Sequence, residues 1–86
     1  MVYYKVVFIR SASRELEKLP SQISNRILQK IELLEKEPRP KGCKKLQSPE
    51  NLWRIRVGDY RIIYSISDKK RQIKIWIIRH RSDAYR

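Results

Sequence analysis

The stretch LWRIRVGDYRIIY, residues 52–64, alternates apolar and charged positions with a period of two. Trp53, Ile55 and Val57 point one way; Arg54 and Arg56 point the other. That period marks a half-buried strand. Gly58-Asp59 follows, a two-residue hairpin signal, because glycine tolerates the positive φ such turns require. The turn predicts a register: Val57 opposite Tyr60, Arg56 opposite Arg61, Ile55 opposite Ile62, Arg54 opposite Ile63, and Trp53 opposite Tyr64. One face of this hairpin is then apolar or aromatic, and the other carries Arg54, Arg56 and Arg61.

The rest of the chain divides by the same reading. Residues 2–9 are rich in Val, Tyr, Ile and Phe and predict a strand. Ala12, Leu16 and Leu19 recur at helical spacing behind Ser11, an expected N-cap, and Pro20 breaks the helix. Ser21 is the expected cap of a second helix, on which Ile23, Ile27, Ile31 and Leu34 form a stripe widened by Leu28. Asn25, Arg26, Lys30 and Glu32 take its polar side. The predicted helical hairpin spans residues 12–19 and 22–36, ended by Pro38 and Pro40. Residues 38–51 read as a loop with a short strand near Leu46. After the arginine hairpin, SDKKRQ is a polar connection. IKIWII is a further strand whose isoleucines on both parities suggest cover on both faces. The helices offer one apolar stripe and the sheet one apolar face. The fold class is therefore α+β: a small antiparallel sheet with an N-terminal helical hairpin packed on one face, in a single domain spanning residues 1–86.

Charge sharpens this. Twenty-one Lys and Arg stand against nine Asp and Glu, a formal +12, which asks for a polyanionic partner. No apolar run is long enough to span a membrane, and no segment joins a basic face to an exposed apolar one, so a membrane partner is not expected. Cys43 is the sole cysteine, so an internal disulfide is impossible. A reducing cytoplasm fits, and Cys43 reads as an incidental surface or loop thiol. One His and one Cys lack ligand-spaced partners for a metal, and two glycines make no phosphate loop, so no cofactor is expected.

Arg56 opposite Arg61 is costly. At roughly 5 Å the repulsion is about 3 kcal/mol at an effective dielectric near 20. An arriving anion relieves it, and a planar guanidinium fork fits phosphate oxygens two at a time. The row therefore reads as a binding or catalytic feature; the bland alternative pairs each arginine with a carboxylate. Lys41, Lys44 and Lys45 make the preceding loop basic, either as a solvated run or as a contact to RNA phosphates. The tail RHRSDAYR adds Arg79, His80, Arg81 and Tyr85. Histidine moves protons near neutral pH, and tyrosine stacks on bases or supplies a hydroxyl.

W-R-I-R, the turn into G-D-Y-R-I-I-Y, "KKL" before the strands and a terminal H-R-S-D-A-Y together resemble the RelE toxins of the RelE/ParE superfamily, over nearly the whole chain. The resemblance implies the toxic half of a toxin–antitoxin pair, a ribosome-dependent endoribonuclease that cuts messenger in the A site. Its chemistry would be metal-free attack of a ribose 2′-OH on the adjacent phosphate. It implies catalytic roles for Arg54, Arg56, Arg61, Arg79 and Tyr85, with His80 and Arg81 between the last two. The best-known member of the family has lysines at the positions of Arg54 and Arg56. Arginine keeps its proton, so these residues are assigned to charge stabilisation, and the base is left between His80 and Tyr85. The implied partners are the ribosome, its mRNA and an acidic RelB-like antitoxin. Two alternatives keep the same fold: a ParE-like inhibitor of DNA gyrase, and an inactive RNA-binding module.

Overall fold

A computed structural model describes residues 3–47 and 49–82. Its elements are β1 (Lys5–Phe8), α1 (Arg10–Glu17), α2 (Ser21–Leu33), β2 (Lys44–Lys45), β3 (Leu52–Val57), β4 (Tyr60–Ser67) and β5 (Gln72–His80). The strands form one sheet in the order β1-β5-β4-β3-β2. Three of the neighbouring pairs are antiparallel, and β1 joins β5 in parallel. The helical hairpin is what makes the parallel pairing possible, since it carries the chain away from β1 before the remaining strands form.

The predicted hairpin register holds at every pair from Trp53–Tyr64 to Val57–Tyr60. Gly58 adopts φ +58°, and no positive φ occurs at Asp59. Positive φ at the first central residue alone is the pattern of a II′ turn, whose twist suits the flanking strands. The buried core comprises Ala12, Ile27, Ile31, Leu34, Ile55, Ile62, Tyr64, Ile66, Ile73, Ile75 and Ile78. Every strand residue in that set lies on the helix-side face. The other sheet face contributes nothing to the fully buried core.

Both helices start earlier than the serine caps suggested. Ile9, not Ser11, occupies the N-cap of α1, and Pro20, not Ser21, that of α2. Ile9 is where strand becomes helix: its N–H donates to the Ile75 carbonyl (3.0 Å) while its own carbonyl accepts from Ser13 N–H (3.0 Å). Pro20 has no N–H to satisfy, and its carbonyl accepts from both Ile23 and Ser24. Neither helix has a side-chain cap, so the serine hydroxyls do not play the part expected of them.

The loop after α2 is pinned rather than free. Tyr64, fully buried, donates its hydroxyl to the Pro38 carbonyl at 2.8 Å. Burial and the neighbouring Cys43 thiol push the Tyr64 phenol well above its ordinary pKa, so it stays protonated. Cys43 is accordingly half-buried against the core rather than a surface thiol. Arg39 makes a two-pronged contact with Asp68 (2.9 and 3.3 Å), Tyr4 donates to the same carboxylate at 2.6 Å, and Arg39 stacks over Trp53 at 5.1 Å. Among the described residues, no helix is long and apolar enough to cross a membrane.

Candidate functional site: an arginine row on the open sheet face

Cross-strand pairing sorts the open face into rungs. Arg56, Arg61 and Arg79 sit side by side on β3, β4 and β5. The next rung holds Lys44, Arg54, Ile63 and Ile77, and the one beyond it Leu52, Ser65 and Lys74. Neighbouring strands lie about 4.8 Å apart and same-face rungs about 7 Å apart. Five cations thus occupy two adjacent rungs at the hairpin end of the sheet. Arg56 and Arg79 are exposed, Arg54 and Arg61 half-buried. Arg56 Nε also donates to the Gly58 carbonyl at 3.2 Å, which folds its side chain toward the turn.

Arg79 owes its place to an irregularity. Ile63 pairs with Ile77 and Tyr64 with Ile75, which leaves Trp76 as an extra residue on β5. Strict alternation from the buried Ile73 and Ile75 would turn Arg79 toward the helices and His80 toward the arginines. The bulge reverses both. Ile78 enters the core, Arg79 falls opposite Arg61, and His80 falls opposite Tyr60. It also explains the isoleucines on both parities of IKIWII: the change of face happens at Trp76, and the strand is not covered on both sides.

The candidate residues therefore separate. Arg54, Arg56, Arg61 and Arg79 come together as expected, and Lys44 joins them beside Arg54. His80 does not. Its ring packs edge-on against Tyr60 (centroids 5.2 Å apart) on the helix-side face, and its Nδ1 lies 2.8 Å from Ser82 Oγ. Lys45 is also on that face, opposite Trp53, with Nζ 5.9 Å from the indole centroid. Lys41 is exposed in the loop. Arg81 is tied to the hairpin by its backbone, N–H to the Asp59 carbonyl at 2.7 Å. Tyr85 lies outside the described residues. Sequence reasoning passed over Trp76, although a lone tryptophan among isoleucines was the visible signal of a residue out of phase.

Fixed cations in a row on a rigid sheet can hold a phosphodiester and its developing negative charge without themselves transferring a proton. The model of the ParE toxin of the type II toxin–antitoxin system parDE matches residues 6–85. The chain belongs to the RelE/ParE superfamily of type II toxins. Two curated relatives from Mycobacterium tuberculosis agree with this. Toxin RelE is 32% identical over 84 residues, covering 96% of this chain and 87% of its own, and Toxin RelG is 32% identical, covering 96% and 97%. Among solved structures, the archaeal RelE–RelB complex from Pyrococcus horikoshii superposes with a TM-score of 0.82 at 34% identity, covering 92% of this toxin and 96% of that chain. The toxin thus has the RelE-like α+β fold, with the arginine row on the sheet face that the helices leave open.

Proposed function

We propose that this toxin is a ribosome-dependent mRNA endonuclease that cuts in the A site and so stops translation. The observation that carries the reading is the rung of Arg56, Arg61 and Arg79 with Arg54 and Lys44 beside it. In the proposed step the ribose 2′-oxygen bonds to phosphorus, the bond to the 5′-oxygen breaks, and the 2′ proton leaves as the 5′-oxygen gains one. The arginines bind the phosphate and offset charge in the transition state. They keep their protons, so proton transfer falls to another group. With His80 across the sheet, Tyr85 is the residue proposed for it. The names of the relatives and the RelE–RelB neighbour support the toxin role and an acidic RelB-like antitoxin that shields the cationic face.

The test is a translating extract with messenger 5′ ends mapped by primer extension. Wild type should cut within A-site codons and leave naked RNA whole. Arg61→Ala should lose at least about a hundredfold in cleavage rate, in line with removal of one oxyanion donor, while its melting temperature is kept. Tyr85→Phe should lose cleavage, and His80→Ala should retain it. Wild-type rates from Arg61→Ala would remove the central residue of this reading.

A second reading is favoured by the family model's own description as ParE: inhibition of DNA gyrase without RNA cleavage. Intact messenger together with blocked supercoiling by the same preparation would establish it.

A further inference from the structure

The open face carries more than charge. Beyond the arginine rung lies a cavity of about 390 Å³ lined mainly by Leu52, Ile63, Ile77 and Trp76, with Glu50 as the charged residue of its lining. Ile63 and Ile77 form the rung next to Arg61 and Arg79 on the same face. The apolar groove and the arginine row are therefore one continuous surface.

Trp76 is the residue that the bulge adds. Trp76 is 38% exposed and stands outside the buried core. The indole is oriented by two contacts: Nε1–H donates to Ser65 Oγ at 2.9 Å, and Lys74 Nζ lies 5.2 Å from the ring centroid. A bulge that served strand bending alone could present any side chain. This one presents a held aromatic ring beside an apolar floor, with Lys74 against the ring, the arginine rung next to the floor and Glu50 in the lining. Single-stranded RNA is held by that combination, bases stacking on aromatic faces while the backbone follows positive charge.

We propose that the groove is a nucleobase subsite. Trp76 stacks on a base of the strand whose phosphate is held by Arg56, Arg61 and Arg79, with Leu52, Ile63 and Ile77 as floor. The inference rests on the RNA-cutting reading and extends it to how the strand is held. Stacking of this kind tolerates any base, so Trp76 adds affinity and positioning rather than sequence choice.

The test uses the full-length toxin and short 2′-O-methyl RNA, which cannot undergo 2′-OH attack, beside an abasic chain of the same length and charge. Trp76→Ala should weaken binding of the base-bearing probe about tenfold and leave the abasic probe unaffected. Trp76→Phe should restore most of the loss. In a Trp53→Phe background, which leaves Trp76 as the only tryptophan, the probe should quench indole fluorescence and the abasic chain should not. Equal affinity of wild type and Trp76→Ala for the base-bearing probe would overturn the inference while leaving the RNA reading in place. No binding of either probe by wild type would also overturn the inference, while A-site cleavage in the translating extract decides the RNA reading separately. RNA binding kept by Trp76→Ala with binding of a RelB-like antitoxin lost would assign the groove to the protein partner instead.

Discussion

Gly58 sets the geometry on which the arginine row depends. Its φ of +58° lies in the left-handed region, and the nearest atoms an added Cβ would meet are the Arg26 guanidinium nitrogens at 3.9 Å. Gly58→Ala therefore meets no clash and costs only backbone strain, about 1 kcal/mol. For a domain of this size that is a fall in melting temperature of about 4–8 °C, readable by thermal denaturation. An unchanged melting temperature would mean that the turn relaxes to another type. Arginine identity matters at the same scale. A lysine at position 54 or 56 keeps the charge but loses the two-pronged fork and can give up its proton; arginine keeps both, so these residues are proposed to hold phosphate rather than to transfer a proton.

Among the elements, the loop between α2 and β2 is held by a small polar cluster far along the sheet from the arginine rung. The Arg39 guanidinium, with the Tyr4 hydroxyl behind it, holds the Asp68 carboxyl below the usual carboxylate range. A carboxyl depressed in the folded state contributes stability that is complete above its unfolded pKa of about 4 and disappears as pH falls through the folded value. The melting temperature of wild type should thus fall more steeply below about pH 4 than that of Asp68→Asn. Parallel acid limbs for the two proteins would show that the exposed pair contributes nothing, as many surface pairs do. The strand that follows this loop, β2, consists of Lys44 and Lys45. Adjacent residues in a strand point to opposite faces, so β2 delivers Lys44 to the arginines and Lys45 to Trp53.

Taken whole, the toxin keeps its apolar core on one side of the sheet and a cation cluster on the other, within a formal charge of +12. Binding of single-stranded RNA to that face should fall with salt at about 0.7 decades per decade for each phosphate engaged. Arg54→Ala should reduce the slope by about 0.7, measured by titration at several ionic strengths. An unchanged slope would place Arg54 outside the phosphate path.

Much of this was legible in the chain because the physics is local. A two-residue turn with glycine prescribes its own register, so the pairing of Arg56 with Arg61, and the one-sidedness of Ile55 and Ile62, followed from residues 52–64 alone. Helical periodicity placed Ile27, Ile31 and Leu34 in the core for the same reason. The helix starts were misplaced because pairing of Ile9 with Ile75 in the sheet sets where α1 begins, and α2 begins directly after Pro20 without a side-chain cap. The site itself was half legible. The lone tryptophan in residues 72–80 marks a residue out of phase without saying which way the strand turns, and alternation read straight through would send Arg79 inward and bring His80 to the arginine face. Packing decides otherwise. Ile73 and Ile75 before the bulge and Ile78 after it can all be buried only if the strand changes phase once, and Trp76 is where it does. The sequence alone determines the charge, the hairpin and the helical stripe. Only the tertiary structure determines which end-strand residues share the arginine face, because that choice belongs to the core beneath them.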